Sequence, residues 1–130
     1  MRHKLLILDD DETILSAMGE YFSMRDFDVD CARQKAGALA LVSQQRYAAI
    51  IADLRLTGSQ SVDGLEVVDA VREHWPSTPI ILFTADGSPQ IEAEARARGV
   101  DAFLHKPHSL PDIARIVLDL VAARLTAMDP

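Results

Sequence analysis

The chain has 130 residues, 48% hydrophobic and 25% charged, the size and mix of one soluble domain with a proper core. Its formal net charge of −7 argues against nonspecific nucleic-acid binding, which needs a positive footprint. No apolar run approaches the roughly 20 residues of a membrane-spanning helix, and MRHKLLILDDD has too short an apolar stretch for a signal peptide, so the expected location is the cytoplasm.

Five short apolar runs alternate with five helix-like segments. The first, KLLIL (4–8), leads straight into Asp9, Asp10 and Asp11, and the helix after it sets Ile14, Leu15, Met18 and Phe22 on one face. Asp11 and Glu12 suit a helix N-terminus, whereas Asp9 still reads as strand. FDVDC (27–31) alternates apolar and acidic residues, the pattern of a half-exposed edge strand. Cys31 falls on its apolar side and is expected to be a small core residue. As the single cysteine it rules out an internal disulfide and fits a reducing compartment.

AAIIA (48–52) stops at Asp53, and the third helix carries Leu65, Val68, Val71 and Trp75 before Pro76 halts it. PIILF (79–83) leads to Thr84. The fourth helix, PQIEAEARARG, has Ile91 as its one large apolar residue and should be the most weakly anchored element, with EAEARAR a solvated face. DAFLH (101–105) runs into Lys106 and Pro107. The last helix starts near Pro111 and repeats the pattern with Ile113, Ile116, Val117, Leu120 and Val121, and TAMDP reads as a frayed end. Four of the five runs are apolar at consecutive positions, as in strands covered on both faces. Fivefold strand–helix alternation means a parallel sheet with right-handed crossovers and helices on both sides.

In such a sheet, ligands bind at the carboxyl ends of the strands. Four separate segments deliver Asp9–Asp11, Asp53, Thr84 and Lys106 to that rim. A lone aspartate ending a strand is usually a cap or turn former, but convergent carboxylates must either take up protons or bind a hard cation. Three acids, a hydroxyl and an ammonium suit a magnesium ion and a phosphoryl group. His3, His74, His105 and His108 have no metal-ligand spacing.

ILDDDE, IIADLRL, DGLEVV, ILFTA and FLHKP together resemble the receiver domain of two-component response regulators, from about Lys4 to Leu125. The resemblance implies a single receiver domain over 1–130 without an output domain. Its fold would be flavodoxin-like and doubly wound, an α/β (βα)5 unit with five parallel strands in order 2-1-3-4-5. It implies that Asp53 accepts a phosphoryl group from a sensor histidine kinase or histidine phosphotransfer protein. Asp10, Asp9, Asp53 and the Arg55 backbone carbonyl would hold Mg2+ or Mn2+, and Thr84 and Lys106 would grip the phosphoryl oxygens. Lys106-Pro107 would be a cis peptide. Phe103 would be the aromatic switch, turning into space left by Thr84, with phenylalanine in place of the common tyrosine. The fourth helix would be the bistable part, its surface with the fifth strand and last helix read by a downstream effector. Such a domain is no enzyme beyond promoting its own phosphorylation and dephosphorylation; it binds neither nucleic acid nor membrane, and a phosphorylation-linked homodimer is compatible with it.

The segment DLRLTGSQSVDG departs from the family pattern. Leu56-Thr57 replaces Met-Pro, and Gly64 lies eleven residues after Asp53, a loop lengthened by about three residues. Arg55 and Asp86 sit two residues beyond Asp53 and Thr84, where a pair across the site would shield the phosphoryl group. Two other classes fit parts of the pattern. DDDET matches a haloacid-dehalogenase-type phosphatase with Asp9 as nucleophile and Asp11 as general acid, although no acidic pair follows Lys106. A pseudo-receiver would keep the fold as a pure interaction module. A flavodoxin-like electron carrier fits worse, for want of a phosphate loop after the first strand.

Overall fold

The computed structural model describes residues 2–56, 62–85 and 87–128. Each apolar run forms a strand: β1 (His3–Leu8), β2 (Phe27–Ala32), β3 (Ala49–Ala52), β4 (Ile80–Thr84) and β5 (Ala102–His105). Between and after them lie α1 (Glu12–Ser23), α2 (Lys35–Gln44), α3 (Asp63–His74), α4 (Pro89–Ala97) and α5 (Leu110–Met128). All neighbouring strands pair in parallel, and the sheet order is β2-β1-β3-β4-β5. The order reverses beside β1, so the carboxyl ends of β1 and β3 open onto one crevice.

Alternate residues of the central strands feed two cores. Leu5, Ile7, Ile51 and Ile81 point to the face covered by α1 and α5, where they meet Met18, Phe22, Ile113 and Val117. Leu6, Leu8, Ile50 and Leu82 point to the other face, against Val42, Leu65, Val68 and Val71 of α2 and α3. Burial on both faces explains the uninterrupted apolar runs of β1, β3 and β4. The local punctuation follows chemistry. Asp11 caps α1 by accepting the Thr13 and Ile14 N–H groups, α3 ends before Trp75-Pro76, and Gly99 takes φ +104° after α4.

Four expectations need correction. Cys31 is exposed, because the residue facing its sulfur from α1 is Gly19, which offers no side chain to cover an edge strand. β5 is only half covered, since it closes the other edge of the sheet and pairs with β4 alone. Thr84 belongs to β4 itself and lies beside His105 of β5. The last helix continues through Met128, there being neither glycine nor proline to stop it sooner. Asp129 and Pro130 lie outside the described residues.

Asp26, in the α1–β2 turn, adopts φ 67° without being glycine. Its carbonyl accepts the His3 N–H at 3.1 Å, which ties the turn to the start of β1. Asp26→Gly removes the Cβ strain and leaves that bond in place, so urea unfolding is expected to show a gain of about 0.5–1 kcal/mol.

Candidate functional site

β1, β3 and β4 end at the same rim, and the chain after β5 returns across it. Asp9 and Asp53, one residue past β1 and β3, are 2% and 7% exposed, and Thr84 at the tip of β4 is 1% exposed. Hydrogen bonds between neighbouring strand ends fix this alignment: Asp53 N–H donates to Leu8 O at 2.8 Å and Lys106 N–H to Thr84 O at 2.9 Å. The Lys106-Pro107 peptide is cis.

The Lys106 ammonium lies between two carboxylates, 2.8 Å from Asp9 Oδ2 and 3.1 Å from Asp53 Oδ2. Asp10 is exposed, and one carboxylate oxygen from each of Asp9, Asp10 and Asp53 lies within 4.8 Å of the others. Three formal negative charges therefore face one positive charge, and two remain uncompensated within the cluster. Burial raises the Asp9 pKa above the ordinary carboxylate value, against the lowering effect of the Lys106 hydrogen bond and the Asp11 N–H. For Lys106 burial works the other way, but its bonds to Asp9 and Asp53 outweigh it and the pKa rises. Three hard oxygen donors with two unbalanced charges fit a small divalent cation such as magnesium.

The loop backbone supports these side chains. Asp9 Oδ1 accepts the Asp11 N–H at 2.9 Å, and Arg33 donates from Nη2 to Asp10 O at 3.1 Å. The Arg55 N–H points to Asp53 Oδ1 at 3.4 Å. Residues 57–61 of the lengthened loop and Asp86 lie outside the described residues, so the Arg55–Asp86 pairing does too. Phe103 is already buried at 7% exposure, packed edge-on against His105 with ring centres 5.4 Å apart. In this state the ring needs no vacancy beside Thr84 to be inside.

Two glycines contribute that residue chemistry alone does not advertise. A Cβ on Gly64 would lie 2.2 Å from Asp53 O, so the first turn of α3 sits directly behind the aspartate. A Cβ on Gly87 would lie 2.7 Å from the Phe103 ring. Gly64 was visible within DGLEVV, but nothing local marks Gly87. A buried polar group away from the rim was also unforeseen: Tyr47 donates to Asp30 Oδ2 at 2.7 Å and accepts from Gln45.

A parallel α/β sheet whose rim gathers acids, a threonine and a lysine defines the class of receiver modules. The chain belongs to the family described as the response regulator receiver domain, whose model matches residues 5–118. It is 31% identical to the nitrogen assimilation regulatory protein NtrX of Azorhizobium caulinodans over 107 residues, 82% of this chain but 23% of that protein. A CheY-like receiver domain protein from Methanospirillum hungatei shares the fold at TM-score 0.91 and 20% identity, covering 98% of this chain and 99% of that one. A Burkholderia pseudomallei response regulator, solved with a phosphorylated aspartic acid, a calcium ion and citrate, is 25% identical at TM-score 0.81, covering 98% of this chain and 75% of that one. Among the described residues, no helix is long and apolar enough to cross a membrane.

Proposed function

We propose that Asp53 accepts a phosphoryl group from a phosphohistidine on a sensor histidine kinase or histidine phosphotransfer protein. The observation that carries this reading is the Lys106 ammonium held between Asp9 and Asp53, with two acidic charges still unbalanced. The likeness to a regulator carrying a phosphorylated aspartic acid and a calcium ion supports it. An Asp53 carboxylate oxygen attacks phosphorus in line, the new O–P bond forms as the P–N bond to the donor imidazole breaks, and the imidazole leaves with its electron pair. Lys106 moves from pairing the carboxylate to pairing a phosphoryl oxygen, and the Thr84 hydroxyl donates to another.

Asp10, Asp9, Asp53 and the Arg55 carbonyl would hold Mg2+ or Mn2+. When bound, the ion supplies positive charge to the oxygens around phosphorus. The acyl phosphate adds about −2 charge at the rim, which biases α4, β5 and α5 as the surface read by an effector. The domain so described is a switch rather than an enzyme acting on other molecules. A phosphatase built on Asp9 is disfavoured because Asp11, its required acid, has its carboxylate turned onto the Thr13 and Ile14 N–H groups.

The test is phosphopeptide mapping after incubation with Mg2+ and acetyl phosphate. Label is expected on Asp53, with none above background in Asp53→Asn or in the presence of EDTA. Label on Asp9, or an Asp53→Asn protein modified as fully as the native one, refutes the assignment.

A further inference from the structure

Of the three carboxylates gathered at the rim, two are fastened by their own oxygens. Asp9 accepts the Asp11 N–H and pairs with Lys106, and Asp53 pairs with the same ammonium. Asp10 is the exposed one, and among the described residues no donor reaches its carboxylate. Its direction is therefore set through the backbone.

That backbone is held from the end of β2. Asp9 N–H donates to Ala32 O at 3.1 Å, and Arg33, the next residue, donates from Nη2 to Asp10 O at 3.1 Å. The peptide joining Asp10 to Asp11 is thus gripped at both ends, its C=O by Arg33 and its N–H by Asp9 Oδ1 at 2.9 Å. A peptide is planar, so two such bonds fix its tilt, and the tilt aims the Asp10 side chain. The other guanidinium nitrogen, Nη1, lies 3.9 Å from Glu12 Oε2 in the first turn of α1. An edge strand that supplies none of the three acids still steers one of them.

Arg33 acts on a cation in two opposite ways. Its positive charge repels the ion, while its hydrogen bond presets a ligand for it. The Arg33 and Glu12 side chains are 58% and 77% exposed, and a groove of about 680 Å3 lined by Asp10, Arg33, Gln34, Gly37 and Leu56 opens beside them. Water and salt screen the charge in such a place. Losing a bond that orients a metal ligand is not screened, and it commonly costs about tenfold or more in affinity. Orientation wins.

We propose that Arg33 is a positioning residue for the divalent cation, holding the Asp10–Asp11 peptide so that the Asp10 carboxylate faces Asp9 and Asp53. This rests on the metal reading above and extends it to a residue outside the acid cluster. Arginine suits the task better than lysine, since its planar fork reaches the Asp10 carbonyl and Glu12 together.

Calorimetric titration of the full chain with Mg2+ alone tests this in the native protein, Arg33→Ala and Arg33→Lys. Arg33→Ala is expected to bind Mg2+ about tenfold more weakly at low and high salt alike, with Arg33→Lys in between. With acetyl phosphate, the Mg2+ concentration giving half the maximal rate should rise about tenfold in Arg33→Ala, and the deficit should vanish at saturating Mg2+. The urea midpoint without Mg2+ should not move. Unchanged affinity in Arg33→Ala, or the tighter binding that charge repulsion alone requires, overturns the positioning role. A deficit that persists at saturating Mg2+ together with a lowered urea midpoint marks a merely structural contact and overturns it too. No saturable Mg2+ binding by the native protein overturns the metal reading, and the role of Arg33 with it.

Discussion

Lys106→Met is expected to cost about 3–5 kcal/mol of stability at neutral pH, because it strands two buried carboxylates beside each other. It should also slow phosphorylation of Asp53 by about 10²–10³-fold, the usual effect of deleting one preorganised charge at a reacting centre. The geometry behind both numbers is a side chain 14% exposed, within 3.1 Å of Asp9 and Asp53. Since the folded-state pKa of Lys106 is raised, its contribution is complete below the ordinary lysine value near about 10.4 and fades as pH rises through the folded value. The gap between variant and native protein should therefore be full at pH 7 and close only in strong alkali. Added Mg2+ should raise the melting temperature of the variant more than that of the native protein, as the ion replaces the missing charge. Urea titrations and melting curves at both pH values check this, and equal stability at pH 7 would show that the ammonium does not compensate these acids.

Gly64→Ala is expected to be the second severe change. The added carbon would sit 2.2 Å from Asp53 O and 2.8 Å from Leu54 Cα, both backbone atoms with little room to yield. Gly64 N–H also donates to Leu54 O at 2.9 Å, so the first turn of α3 and the segment after Asp53 must move together or part. The expected cost is about 3 kcal/mol in denaturant unfolding. Displacing Asp53 by about 1 Å relative to Lys106 should lower the phosphorylation rate by about 10²-fold. Gly37→Ala is the control: the new carbon meets only Ala32 Cβ at 3.8 Å, inside helix α2, and a gain of about 0.5–1 kcal/mol is expected there. If the two alanine variants are equally benign, the close approach behind Asp53 is wrong.

Much of this was legible along the chain because the signals are local. Apart from Lys4, residues 4–8 and 79–83 are apolar at every position, which only a strand covered on both faces sustains, and β1 and β4 form there within one residue. Asp11 as a cap and Pro76 as a stop act within one turn of their own position. Cys31 failed for the opposite reason. Its alternation with Phe27 and Val29 promised burial, but the covering residue is decided by which part of α1 lies above it, and that part is Gly19. β5 read as a strand covered on both faces, although the order 2-1-3-4-5 sets it at the edge, because its composition cannot say how much of each face a helix reaches.

By itself the sequence determined the element order, the parallel sheet and the set of chemical groups at its carboxyl rim, since periodicity and strand-end position are properties of short stretches. Only the tertiary structure decided that Lys106 lies between Asp9 and Asp53, that Phe103 starts out inside, and that Arg72 ties the end of α4 to two strands. The Lys106–Asp9, Lys106–Asp53 and Arg72–Gly99 contacts join residues 27 to 97 positions apart, and their distances come from packing of the whole sheet. No window of the chain is long enough to contain them.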